Sequence, residues 1–170
     1  ILAARPAPTC PDFSDGQTVY LWGESRRLRL EPAARGRNAF LRDQDIVLQV
    51  HPGDTPAQRQ ALLNSFYRAQ LDARIRACLP YWEGKTGLHP ASVQIKNMKT
   101  RWGTCNTAAK RIWLNLQLVK QPPVCLDYVL AHELTHLLHP DHGNGFWAFL
   151  LRVMPDCKAI RKALNETPFL

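Results

Sequence analysis

No stretch of this chain approaches the roughly eighteen uninterrupted apolar residues of a membrane span, which excludes a transmembrane helix. There is no CxxC pair, and the cysteines are odd in number: Cys10, Cys78, Cys105, Cys125 and Cys157. Neither a zinc ribbon nor a disulfide framework is suggested. The plainest reading is reduced thiols in a cytoplasmic protein. The opening residues, ILAARPAPTCPDFSDG, lack the basic-then-apolar order of a secretory leader. They also lack an initiator methionine, so translation is not expected to begin at residue 1. Residues 1–17 are expected to be poorly ordered. No internal repeat and no low-complexity linker divides the remainder. A single domain over 18–170 is expected, with a β-rich part at 18–54, a long helix at 55–88 and a catalytic part at 91–170.

Acidic residues are scarce. There are 14 of them against 22 Lys and Arg, a net charge of +8. The surplus gathers in RRLRLEPAARGR (Arg26 to Arg37) and in KNMKTRW (Lys96 to Trp102). It favours anionic partners, nucleic acid among them, although a solvated basic surface is the plainer explanation of charge without a reading motif.

Hydrophobic periodicity supplies the outline. Thr18 to Trp22, Arg26 to Leu30 and Asn38 to His51 read as short strands of a small antiparallel sheet, closed by Pro52-Gly53-Asp54. Thr55-Pro56 opens a long helix, with Thr55 as cap and Leu62, Leu63, Phe66, Leu71 and Ile75 as its apolar stripe. A bend is expected at Pro80 and an end by Gly87. Ser92 to Lys99 and Arg111 to Asn115 then read as two strands, joined as a hairpin through CNTAAK, with Arg101-Trp102-Gly103 as a turn or bulge. A helix is expected from about Val124 to His139, stopping at Pro140. Two short helices follow, Phe146 to Met154 and one capped by Asp156.

The chemistry concentrates in HELTHLLHPDH, His132 to His142. Residues four apart on a helix share a face, so His132 and His136 can hold a single zinc. Glu133 lies about 100° around the helix from His132, beside the ligands, where it can accept a proton from a zinc-activated water. Hydrolytic zinc takes three protein ligands and keeps one position open. His142 is the better third ligand, because Pro140 ends the helix and lets the chain turn back. His139 is its rival, but seven residues along a helix is about 10.5 Å, too far for one ion. His139 is expected beside the site or exposed. A purely structural helix explains the histidines poorly, since Leu126, Leu130, Leu134 and Leu137 already supply its buried face.

MKTRWGTC, then RIWLN, then LDYVLAHELTHLLHPDHGNGFWAFL resembles the YgjP-like metallopeptidase family, which is grouped with the SprT-like and WLM-type zincins. The resemblance runs from about Val19 to Leu164 and is strongest from Met98 to Leu150. It implies zinc ligation by His132, His136 and His142 and a catalytic base at Glu133. It also implies an α+β zincin core, with a small sheet packed on the active-site helix. The spacing HExxHxxxxxH matches the metzincins too. Those place Gly where this chain has His139 and need a Met-turn, for which Met154 lies too close, so that reading is set aside.

The reading reached from sequence is a zinc-dependent metallopeptidase with one Zn2+ per chain and a peptide or protein substrate held along an edge strand, either Ser92 to Lys99 or Arg111 to Asn115. Lys99, Arg101 and Trp102 are candidate substrate-binding residues. Trp102 reads more readily as core, and Arg101 reads equally as the partner of a carboxylate. Phe146 and Trp147 are expected to pack the following helix on the motif helix and hold His142. Two alternatives stand beside this reading. One is a metal-dependent nucleotide phosphohydrolase using Lys96, Lys99 and Arg101, which the lack of a Gly-rich phosphate loop disfavours. The other is a nucleic-acid-associated module with a structural zinc, or a protease acting on DNA-bound proteins. Cys105 has no visible general base and reads as non-catalytic.

Overall fold

Residues 11–169 are described by a computed structural model. The chain groups into two compact units. The first holds the residues up to Val19 with Ser25–Phe66, and the second holds Tyr20–Glu24 with the residues from Tyr67 onward.

A four-stranded sheet of β1 (Thr18–Leu21), β2 (Glu24–Pro32), β3 (Asn38–Arg42) and β4 (Asp45–Val50), in the order β1-β2-β4-β3, draws most of its residues from the first unit. The expected antiparallel sheet is in fact mixed: β3 and β4 pair antiparallel, whereas β2 and β4 run parallel. Alternating Leu and Arg in β2 specify which face is buried but not the direction of the neighbouring strand. The tight turn at Asp43, with φ of 53°, makes β3 and β4 a hairpin and leaves β4 beside β2. Leu28, Ile46 and Leu48 are fully buried in this sheet. Of the stretch expected to be poorly ordered, residues 1–10 lie outside the described residues. Beyond them Phe13 is buried, Gly16 N–H donates to the Leu28 carbonyl (2.7 Å), and Leu30 N–H donates to Asp15 Oδ1 (2.9 Å). Arg37 grips Asp54 with two hydrogen bonds, Nε to Oδ2 at 3.0 Å and Nη2 to Oδ1 at 2.6 Å.

Helix α1 (Pro56–Thr86) starts with the expected cap. Gln58 N–H donates to Thr55 Oγ1 (3.2 Å) while Thr55 N–H donates to Gln58 Oε1 (2.8 Å), a reciprocal capping box. Leu63, Phe66, Leu71 and Ile75 are buried on one stripe. The helix is continuous through Pro80 and closes at Gly87, whose φ of 71° is the left-handed conformation that ends helices.

In the second unit β5 (Ser92–Lys96), β6 (Gly103–Asn106) and β7 (Arg111–Asn115) form a three-stranded sheet ordered β5-β7-β6. Here the expected hairpin is corrected. Ser92–Lys96 pairs with β7 in parallel, and the hairpin partner of β7 is Gly103–Asn106, where the sequence suggests a turn ending at Gly103 and a connection starting at Cys105. The physical reason is Asn115. Its fully buried side chain accepts from Met98 N–H (3.2 Å) and donates to the carbonyls of Met98 (3.0 Å) and Arg101 (2.7 Å). Its own N–H donates to the Trp102 carbonyl (2.9 Å). Residues 97–102 are thereby stitched to the end of β7 as a crossover, and the strand resumes at Gly103.

Helix α2 (Pro123–His136) packs against β6 and β7, with Leu126, Leu130 and Leu134 fully buried. Trp82 Nε1 on α1 donates to Asp127 Oδ1 on α2 (2.9 Å). Helix α2 ends at His136, short of the expected His139. Leu137 and Leu138 bond back three residues, and His139 N–H donates to the Thr135 carbonyl (2.8 Å), as the chain tightens ahead of Pro140. Helices α3 (Asn144–Val153) and α4 (Cys157–Asn165) then pack on α2. The architecture is α+β, with small mixed sheets, a long first helix and short final helices.

Candidate metal centre

His132 and His136 stand one turn apart near the end of α2, their ring centroids 5.0 Å apart. His142 arrives from the loop between α2 and α3. Asp141 Oδ1 accepts Gly143 N–H (3.1 Å) there and tightens the turn that presents His142. His142 Nε2 lies 3.1 Å from His132 Nε2. One nitrogen from each of the three imidazoles falls within 4.8 Å of the others. Nitrogens bound to one tetrahedral zinc at about 2.1 Å stand roughly 3.4 Å apart, so this donor set suits a shared cation.

The far sides of the rings are also arranged. His136 Nδ1 is 3.1 Å from the His139 carbonyl, a bond in which the ring N–H donates and leaves Nε2 its lone pair. His132 Nδ1 is 3.3 Å from the Tyr128 hydroxyl. Phe146 at the start of α3 is fully buried, with its ring centroid 4.9, 4.7 and 4.9 Å from those of His132, His136 and His142. Its burial explains why HxxxF follows the turn: one aromatic ring backs all three imidazoles. The His139 ring stays out of the cluster. It packs on Gly145, where an added Cβ would lie 3.0 Å from its Cε1, and faces Phe149 at 6.1 Å.

Glu133 is 5 % exposed and points between α2 and β6. A Cβ at Gly103 would lie 2.8 Å from Val129 Cγ1 and 3.1 Å from Glu133 Oε1. Glycine is thus what lets the β6 backbone lie against the carboxyl. Burial pushes the Glu133 carboxyl up to about 8, with the positive charge of Arg101 pulling in the opposite direction. Burial first, then His136, His142 and Arg161, pulls the His132 imidazole down to about 3. His136 is lowered as well, chiefly by burial. His132 and His136 are therefore neutral at pH 7, the form in which an imidazole donates a lone pair to a metal.

A cavity of about 230 Å³ brings Arg101, Trp102, Gly103, His132, Glu133 and Arg161 together. Of the candidate substrate-binding residues, Arg101 and Trp102 line it, and Lys99 does not. Arg101 is exposed, while Trp102 is 9 % exposed and stacks on Phe169 at 4.5 Å. Cys105 is half-buried, its thiol pushed up to about 11 by burial and then by the Glu133 charge, a poor nucleophile.

A family model described as "YgjP-like, metallopeptidase domain" matches residues 2–167. The chain belongs to the YgjP-like metallopeptidase family. Among solved structures, the metallopeptidase zymogen abylysin of Pyrococcus abyssi is similar, with 22% identity and a TM-score of 0.49 over 53% of this chain and 90% of that one. No curated protein matches. A metallopeptidase family implies a metal, and the imidazole cluster of this YgjP-like chain is where the described residues can hold one.

Sequence reasoning missed four residues around the site. Tyr128 lies one turn before His132 on α2, at a spacing that was available to be read. Lys158 and Arg161 come from α4, and no local pattern ties them to His132. Asn115, which shapes the Arg101 loop, was read only as the end of a strand.

Proposed function

We propose that this chain is a zinc-dependent peptidase in which His132, His136 and His142 hold one Zn2+ and Glu133 is the general base. The observation that carries this reading is the convergence of three imidazole nitrogens within 4.8 Å, beside a buried carboxyl that lines the same cavity as His132. Bound there, zinc would supply a Lewis acid for the scissile carbonyl and lower the pKa of water.

The chain's own groups account for the rest. Without a cation, burial favours the protonated carboxyl of Glu133. A dication on the imidazoles favours the carboxylate instead, the form a base requires. Glu133 then takes a proton from the attacking water and delivers it to the leaving amine. Arg101, on the wall of the same cavity, is suited to face negative charge developing on the carbonyl oxygen.

Of the two substrate edges read in sequence, only the one containing Ser92–Lys96 is an edge of the sheet. Arg111–Asn115 is the central strand, paired on both sides, and cannot accept a further strand. The edges are β5 and β6, and Gly103 puts β6 against Glu133. A peptide held extended along Gly103–Asn106 would bring its backbone to the site through main-chain hydrogen bonds.

Glu133→Gln tests the reading. The variant is expected to keep about one zinc per chain by elemental analysis and to lose at least 10²-fold in peptide turnover, the size expected of a general base. Undiminished hydrolysis would remove Glu133 from the mechanism. Absence of zinc from the wild-type chain after zinc is supplied would remove the peptidase reading altogether.

A further inference from the structure

Lys158 and Arg161 stand one turn apart on α4, both exposed and both over one face-presenting ring. Lys158 Nζ lies 6.0 Å and the Arg161 guanidinium 5.2 Å from the Trp147 centroid. Neither has a carboxylate within salt-bridge distance among the described residues. Together with His132 and His142 these three side chains line a cavity of about 450 Å³.

That placement works against the imidazole cluster. Lys158 and Arg161 share one cavity with His132 and His142, and like charges repel, so two cations there disfavour a dication on the imidazoles. Two unpaired cations beside a metal site are electrostatically unfavourable unless an anion joins them. Trp147 orders both cations by cation–π contact, which lowers the entropy lost when they close on a ligand. The volume is that of a small-ligand pocket, large enough for a side chain or two and shared with the imidazoles. A peptide whose scissile carbonyl sits at His132 and His142 places the neighbouring residue only about 3.3–3.6 Å further along.

We propose that Trp147, Lys158 and Arg161 form a subsite for a substrate carboxylate, so that the peptide bond cleaved is flanked by an acidic side chain or by a free C-terminus. This rests on the assignment of His132, His136 and His142 as the catalytic metal site. A carboxylate is favoured over a nucleic-acid phosphate because the cations share one pocket with the imidazoles rather than forming a track.

The test measures binding before hydrolysis. Zinc-loaded Glu133→Gln is titrated with fluorescent peptides that differ only in Asp against Asn at one position, each with a free or an amidated C-terminus. The expected result is about tenfold or more tighter binding of the carboxylate-bearing member, the size of one charge-assisted hydrogen bond. A preference carried by Asp in amidated peptides identifies the side chain as the source. A preference carried only by free ends identifies the terminus. Adding Lys158→Gln or Arg161→Gln is expected to shrink the ratio, and Lys158→Glu to reverse it in favour of Lys peptides. Equal binding of acidic and neutral peptides overturns the proposal. So does an oligodeoxynucleotide that binds more tightly than every acidic peptide and loses that advantage in Lys158→Glu. If the preference holds while the zinc-loaded wild type cleaves none of the peptides, the subsite stands and the peptidase reading falls. If the wild type cleaves with a kcat/KM indifferent to charge, the subsite alone falls.

Discussion

The Nε2 atoms of His132 and His142 face each other across 3.1 Å, though ten residues of chain and the end of a helix separate them. Two neutral imidazoles can present nitrogens to one another only if one carries the proton, or if a cation lies between them. Burial keeps His132 a neutral ring, and when the hydrogen bond with the Tyr128 hydroxyl uses its Nδ1–H, its Nε2 lone pair faces His142 as a metal ligand would.

His142→Ala is therefore expected to cost more zinc affinity than the roughly 10–100-fold that accompanies loss of an outer hydrogen bond. Competition with a chromophoric chelator measures it. Unchanged affinity would mean that His142 is not a ligand. His139→Ala is the control, with zinc affinity expected near wild type because its ring packs on Gly145 and Phe149.

Phe146 is fully buried against all three imidazoles. Phe146→Ala is expected to cost about 3–5 kcal/mol of stability through the cavity it leaves. Zinc affinity should fall as well, because the three rings lose their common backing. Thermal denaturation with and without zinc separates the two effects: zinc should raise Tm less in the variant than in the wild type.

Gly103→Ala drives a methyl group into Val129 and the Glu133 carboxyl. The expected cost is about 1–3 kcal/mol, since both neighbours are packed on α2. Turnover should drop with zinc content unchanged. Wild-type kcat in the variant would show that the close approach of β6 to Glu133 does not matter for the reaction.

In the first unit, Arg37 and the His51 N–H hold the Asp54 carboxyl far below its usual range. A depressed carboxylate contributes stability above its unfolded value of about 3.9, and the contribution fades as pH falls below that toward the folded value. Asp54→Asn is thus expected to lower Tm at pH 7 and to flatten the fall of Tm on acidification from about pH 4 downward. Parallel Tm–pH curves for the two proteins would show that the pair does not couple to folding.

How much of this was legible follows from the range of each interaction. The capping box at Thr55 and Gln58 and the left-handed stop at Gly87 are local, and the residues announce them. The hairpin was misassigned because strand alternation is silent about direction, and Asn115 decided the matter by hydrogen bonds to Met98 and Arg101. Helix α2 was drawn too long because its apolar pattern continues through Leu137, while the backbone had already begun to tighten before Pro140.

The sequence by itself determined that His132 and His136 share one face with Glu133 beside them, since 3.6 residues per turn leave no other arrangement on a helix. It also determined that a turn at Pro140 would release His142 from that helix. Only the tertiary structure decided that the His142 ring meets His132, that Phe146 backs all three imidazoles, that Gly103 lies against Glu133, and that Lys158 and Arg161 flank the same cavity. Those contacts join separate elements through packing, and no periodicity along the chain encodes which surfaces will meet.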